Sequence, residues 1–145
     1  ELQIWNGIIL STYAGAKGGL GALGLVKEAK ASLEQGLALD PKALSGSAYT
    51  SLGSLYYQVP GWPVGFGDDE KAEAMLKQAL AINPDGIDPN YFYADYLTRA
   101  KRYAEAKVAL EKALQAPARP NRLSADAGRK AEIQALLAKV NAELE

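Results

Sequence analysis

Three stretches of this chain carry the same spacing of small and large apolar residues, and each runs out at a proline. Ala29, Leu33, Gly36 and Leu37 precede Pro41; Ala72, Leu76, Ala79 and Leu80 precede Pro84; Ala106, Leu110, Ala113 and Leu114 precede Pro117. Steps of four and three place these residues on one face of a helix. The small members let a neighbouring helix approach closely. Proline lacks an N–H and restricts the residue before it, so it ends each helix. A second helical stretch precedes each block, as in Tyr49-Thr50-Ser51-Leu52-Gly53-Ser54-Leu55-Tyr56. The pattern predicts helices over 1–16, 19–39, 44–58, 69–82, 89–100, 103–115 and 124–143. The last is amphipathic through Ala127, Ala131, Ile133, Leu136, Leu137 and Val140, and reads as the solvating cap that a stack of repeats requires at its end. Asp88-Pro89 reads as a capping carboxylate followed by proline in the first helical turn.

Composition narrows the chemistry. The 145 residues are 48% apolar and 23% charged, ordinary for a globular protein, and contain neither cysteine nor histidine. Disulfides, thiolate nucleophiles, histidine triads and most zinc, copper and haem sites are thereby excluded. A net charge of -1 speaks against general nucleic-acid binding, which calls for a basic excess. No stretch reaches the roughly 18 consecutive apolar residues of a membrane span. Charge is uneven along the chain: residues 68–98 hold 7 acidic and 2 basic groups, residues 99–145 hold 10 basic and 6 acidic. Such a division can steer a partner or pair molecules head to tail.

Tyr49, Leu52, Gly53, Tyr56, Ala72, Leu76, Ala79 and Pro84 resemble the tetratricopeptide repeat (TPR), with Tyr49 where its tryptophan stands. Ala94, Tyr103, Ala106, Leu110 and Ala113 form a third copy, in which Lys101 occupies a place where a turn glycine is usual. Gly7, Ala29, Leu33, Gly36 and Pro41 form the first. The resemblance implies an all-α fold, a right-handed α-α superhelix of about three TPR helix pairs plus a C-terminal capping helix, as one domain over 1–145. Repeat 1 covers 1–41 with an insertion at 15–24, repeat 2 covers 44–84 with an insertion at 59–69, repeat 3 covers 87–117, and the cap covers 124–143. Insertions are needed because Gly7 to Gly53 is 46 residues and Gly53 to Ala94 is 41, against a TPR period of about 34. The wording Gly-Leu-Gly-Ala-Leu-Gly, Val-Pro-Gly-Trp-Pro and Gly-Ile-Asp-Pro-Asn-Tyr-Phe-Tyr also resembles a group of exported bacterial TPR proteins. That likeness implies a periplasmic location, with this chain as the C-terminal part of a longer protein.

Several short motifs have plainer explanations. Gly19-x-Gly21-x-x-Gly24 matches a dinucleotide fingerprint in letters, but no strand precedes it, so it reads as a glycine-rich turn and no cofactor is expected. Asp68, Asp69 and Glu70 lack calcium-loop spacing and read as the acidic first turn of a helix, so no metal is expected. No spacing of carboxylates or lysines marks a catalytic site. The loop Val59–Asp69 is the most unusual text: Trp62 and Phe66 lie among three glycines and two prolines, either as a stiff binding surface or folded back as a plug. Trp62-Pro63 is open to either form, cis or trans, although most X-Pro bonds in folded proteins are trans.

In TPR proteins the first helix of each pair lines a concave groove. Carried over, this implies Thr50, Ser54, Tyr57, Gln58, Tyr91, Asp95, Thr98 and Arg99 as groove contacts, with Ile8 and Thr12 in the first repeat, and Trp62 and Phe66 as loop contacts. The expected function is a non-catalytic scaffold for a protein or peptide, using the groove and two long inter-helix loops. The alternative is a small-ligand-binding accessory protein of a periplasmic uptake system. Nucleic acid and membrane are not expected partners, and end-to-end stacking of repeats is a route to oligomers.

Overall fold

A computed structural model describes residues 1–145, the side chain of Leu20 excepted. It contains seven α-helices: α1 (Leu2–Lys17), α2 (Leu20–Leu39), α3 (Ser47–Gln58), α4 (Asp69–Ile82), α5 (Ile87–Arg99), α6 (Tyr103–Leu114) and α7 (Leu123–Leu144). A 3-10 turn, Ala43–Gly46, leads into α3, and no strand forms among the described residues. The seven predicted helices are all present, with ends displaced by up to three residues. The chain divides into two compact units, Glu1–Ile82 and Asn83–Glu145.

In the first unit α1 packs on α2, α3 on α4, and α3 also lies against α2. The small residues set how closely the helices meet. A side chain at Gly7 would place its Cβ 2.5 Å from Leu33 Cγ and 3.0 Å from the Ala29 carbonyl oxygen. A side chain at Gly53 would meet Leu76 Cγ at 2.7 Å and the Ala72 carbonyl oxygen at 3.3 Å. The two helix pairs are thus built on the same contact, at the residues the sequence repeat aligns. Antiparallel direction follows from the pairing, since Ile4 abuts Gly36 while Gly7 abuts Leu33. Ile4, Ala29, Leu33, Ala48, Leu52, Leu55 and Val59 make one continuous core.

In the second unit α5 packs on α6, and α7 packs on α6 and α5. Ala94, Leu97, Ala106, Leu110, Ala113, Ile133 and Val140 are fully buried. Ala94 takes the place of Gly7 and Gly53. The turn from α5 to α6 is a Schellman motif: Arg102 N–H donates to the Leu97 carbonyl at 2.8 Å and Lys101 N–H to Thr98 at 3.0 Å. Lys101 sits in the left-handed region at φ 61°, where glycine avoids the Cβ clash.

Two local expectations are corrected. The first insertion, 15–24, is not a loop. Gly18 and Gly19, at φ 63° and 68°, reverse the chain in two residues, and the surplus extends α1 and α2 by further turns. Glycine is required there because two successive left-handed residues are costly for any other side chain. Asp88 does not cap α5. The helix starts at Ile87 behind Gly86, and Asn90 holds that entry by donating to the Pro84 and Gly86 carbonyls at 2.9 and 2.8 Å. Asp88 is instead drawn to arginines of the C-terminal segment.

Gly53→Val should destabilise the chain by about 1–3 kcal/mol through overpacking against Leu76. Gly15→Ala, where nothing lies within 4 Å, should be neutral or stabilising by up to about 1 kcal/mol. Urea melts read both. Lys101→Gly should raise the melting midpoint, with a gain of about 1 kcal/mol from the relieved left-handed residue; an unchanged or lower midpoint contradicts the turn assignment.

Candidate functional site

The segment between α3 and α4 is built as a pinned hairpin-like loop. Val59 is buried and donates its N–H to the Leu55 carbonyl. Gly67 N–H donates to Pro60 at 2.9 Å, Val64 and Gly65 N–H donate to Gly61 at 3.1 and 3.2 Å, and Asp68 N–H donates to Tyr56 at 2.8 Å. Gly65 lies so close to Pro60 that a Cβ would fall 2.6 Å from its carbonyl oxygen. Of the two forms open to it, Trp62-Pro63 takes the cis one. Asp68 caps α4, its carboxylate accepting the Lys71 N–H at 3.1 Å, and Asp69 and Glu70 sit in the positive first turn. The acidic triplet is therefore used by the helix start.

The two loop aromatics part company. Phe66 turns inward, packs on the core and meets the Tyr56 ring edge-on at 5.7 Å. Lys30 Nζ lies 5.7 Å from the Phe66 ring centre and 6.0 Å from that of Tyr56, and Lys71 Nζ lies 5.8 Å from Tyr56. Lys30 also pairs with Glu34 at 2.5 Å; the hydrogen bond that Lys30 donates to the Glu34 carboxylate holds its pKa above the usual lysine value despite some burial. Trp62 turns outward and is 89% exposed, with Val64 57% exposed beside it and Pro60 and Pro63 also at the surface. The loop thus has an anchored side and an apolar tip.

The other expected contacts lie on two helices in two units. On α3, Thr50 and Tyr57 are buried, Ser54 is half-buried with its hydroxyl donating to the Ser51 carbonyl, and Gln58 is exposed, its amide donating to Tyr57 Oη at 3.4 Å. On α5, Asp95 is half-buried and pairs with exposed Arg99 at 3.4 Å. Tyr91 is half-buried under the C-terminal helix. Its ring meets Phe92 edge-on at 5.2 Å, and the Arg129 guanidinium carbon lies 4.8 Å from Tyr91 and 4.7 Å from Phe92. Burial, then the Asp95 and Glu132 carboxylates, pushes the Tyr91 phenol up to about 12. Ile8 is half-buried and Thr12 exposed, its hydroxyl donating to the Ile8 carbonyl.

A charge network that sequence reasoning missed organises this second unit. Arg119 donates through Nε to Asp126 at 2.7 Å and through Nη1 to Asp88 at 3.2 Å, and its backbone N–H reaches the second Asp126 oxygen at 2.9 Å. Arg129 donates to Asp88 at 2.9 Å and to Glu132 at 2.8 Å. Asp126 is only 5% exposed, and the Arg119 hydrogen bond holds its carboxyl below the ordinary range, outweighing desolvation. Lys112 approaches Asp85 at 3.8 Å. The acidic 68–98 stretch and the basic 99–145 stretch therefore meet at Asp85, Asp88 and Asp95 inside one unit. The sequence signal was present as charge asymmetry, but nothing local paired Asp88 with residues 31 and 41 positions away.

No protein-family model and no curated protein sequence matches this chain.

Asp126→Ala should cost about 1–3 kcal/mol at neutral pH by leaving Arg119 without its main acceptor. Because the folded Asp126 pKa is depressed, its stabilisation is complete above the unfolded carboxylate value, about 4, and fades as pH falls below it. Melts of parent and variant should converge in acid; a gap that stays constant down to about pH 2 contradicts the assignment.

Proposed function

We propose that this chain is a TPR-type helical repeat module that binds a protein or peptide without catalysis, and that the 59–68 loop is its primary contact. The observation that carries this reading is Trp62, almost wholly exposed on a loop whose other aromatic, Phe66, is anchored. An aromatic that is displayed on an ordered loop loses little entropy on binding, and tryptophan is among the residue types that dominate binding energy. Support for the repeat assignment comes from the Gly7–Leu33 and Gly53–Leu76 contacts, which recur at the positions where the repeat motifs align. Gln58, exposed at the end of α3 beside the loop, is the secondary contact of this reading. Tyr57 and Tyr91 support the helices from within rather than meeting the partner directly.

The test is photo-crosslinking in cells that make the protein, with a crosslinking amino acid at position 64. A defined protein partner should be captured, and Trp62→Ala should weaken its binding by about 30-fold or more while leaving the melting midpoint within about 1 °C. Capture of the same partner at parental strength by Trp62→Ala overturns the loop as the contact.

A further inference from the structure

The backbone hydrogen bonds of the 59–68 loop close it on itself and leave its tilt toward α2 to side chains. Gly67 N–H donates to Pro60, Val64 and Gly65 N–H to Gly61, and Asp68 N–H to Tyr56, so each of these bonds stays between the end of α3 and the start of α4. Contact with the preceding helix pair is made by Phe66. It packs on a core to which α2 contributes Val26, Ala29 and Leu33, and the ammonium that reaches its ring is that of Lys30, also on α2.

Lys30 Nζ lies 5.7 Å from the Phe66 ring centre and 6.0 Å from that of Tyr56, within the roughly 6 Å reach of a cation–π contact. The two rings meet edge-on, so one ammonium serves both. Glu34, one turn further along α2, holds that ammonium through an ion pair, and the Lys30 side chain is only 27% exposed. Partial removal from water strengthens a contact of this kind. Lys71 comes to Tyr56 from α4, at 5.8 Å, and so acts within the second helix pair. Gly61 and Gly67 lie side by side at the neck of the loop. Phe66 precedes the one and Trp62 follows the other, so a tilt at the Phe66 ring is passed across the neck to the tryptophan.

We propose that Lys30 is a positioning residue for the Trp62 loop: its ammonium, held by Glu34, clasps the Phe66 and Tyr56 rings and ties the direction of the displayed tryptophan to the first helix pair. The requirement is for a positive charge at that place, since a neutral side chain forfeits both the ring contacts and the ion pair. Arginine preserves both, because a guanidinium also stacks on aromatic faces and pairs with a carboxylate. The consequence for partner binding rests on the reading of the loop as the contact surface: a residue that touches no partner then sets how much ordering the loop must undergo on binding.

Amide hydrogen exchange of residues 1–145 tests the clasp without any partner. Lys30→Gln should speed exchange at the Gly65, Gly67 and Asp68 amides by about 3- to 10-fold, while the buried Leu33 and Leu76 amides keep the parental rate. Lys30→Arg should restore loop exchange to within about twofold of the parent. Lys27→Gln, the same loss of charge at an exposed position one turn earlier on α2, should leave the loop unchanged. In a Trp5→Phe background Trp62 is the one tryptophan left, and its fluorescence anisotropy should fall in Lys30→Gln and return in Lys30→Arg. Loop exchange unmoved by Lys30→Gln overturns the proposal. So does an equal rise in Lys27→Gln or Lys30→Arg, or a rise at Leu33 and Leu76 as large as that in the loop. Because these readouts need no partner, they decide the clasp separately from the crosslink at position 64, which decides whether the loop is a contact surface.

Discussion

The close approach of paired helices at Gly7 against Leu33, and again at Gly53 against Leu76, is the contact on which the first unit depends. Each glycine removes a Cβ that would stand well inside contact distance of a buried leucine. The leucine then fills the space against the opposing backbone. Interiors are packed densely enough that this arrangement leaves little freedom in the separation of the helices. The register of each pair follows from it. So does the placement of Ala48, Leu52, Leu55 and Val59 over the preceding pair, because those residues lie on the side of α3 that the Gly53 contact does not use.

The second unit reaches a comparable end by other means. Ala94 replaces the glycine, and the packing of α7 is reinforced by charge. Asp88 on α5, Arg119 in the connecting segment and Asp126 and Arg129 on α7 form one hydrogen-bonded chain across elements far apart in sequence. Arg129 also lies over Tyr91 and Phe92, so its aliphatic and charged parts both contribute to covering α5. Removing one member of such a network leaves its partner desolvated, and for that reason α7 is held as a folded cap and not as a loosely associated tail.

Between α3 and α4 the same chain economy yields a display surface. Backbone hydrogen bonds close the loop on itself, Phe66 and the two lysines around Tyr56 tie it down, and the tip is left apolar. The proposed partner contact rests on this pairing of a pinned base with an exposed tryptophan.

Helix positions, the small-residue contacts and the amphipathic final helix follow from local sequence, because period, glycine placement and proline stops act over a few residues. Lys101 in a glycine's place was legible too, and the Schellman turn explains its strained backbone. Other features were settled only when distant residues met. Asp88 has the letters of a helix cap, but two arginines far along the chain offer it stronger, charge-assisted bonds. Trp62 and Phe66 are four residues apart and similar in chemistry, yet one is turned inward by Tyr56 and the other faces water. Tyr57 is buried and Tyr91 half-buried, whereas Gln58 and Arg99 on the same helices are exposed. Local sequence specified the helices and their faces, since those depend on short-range sterics and periodicity. Which faces are covered, and which charges are spent inside the fold, depended on long-range contacts that only the tertiary structure assembles.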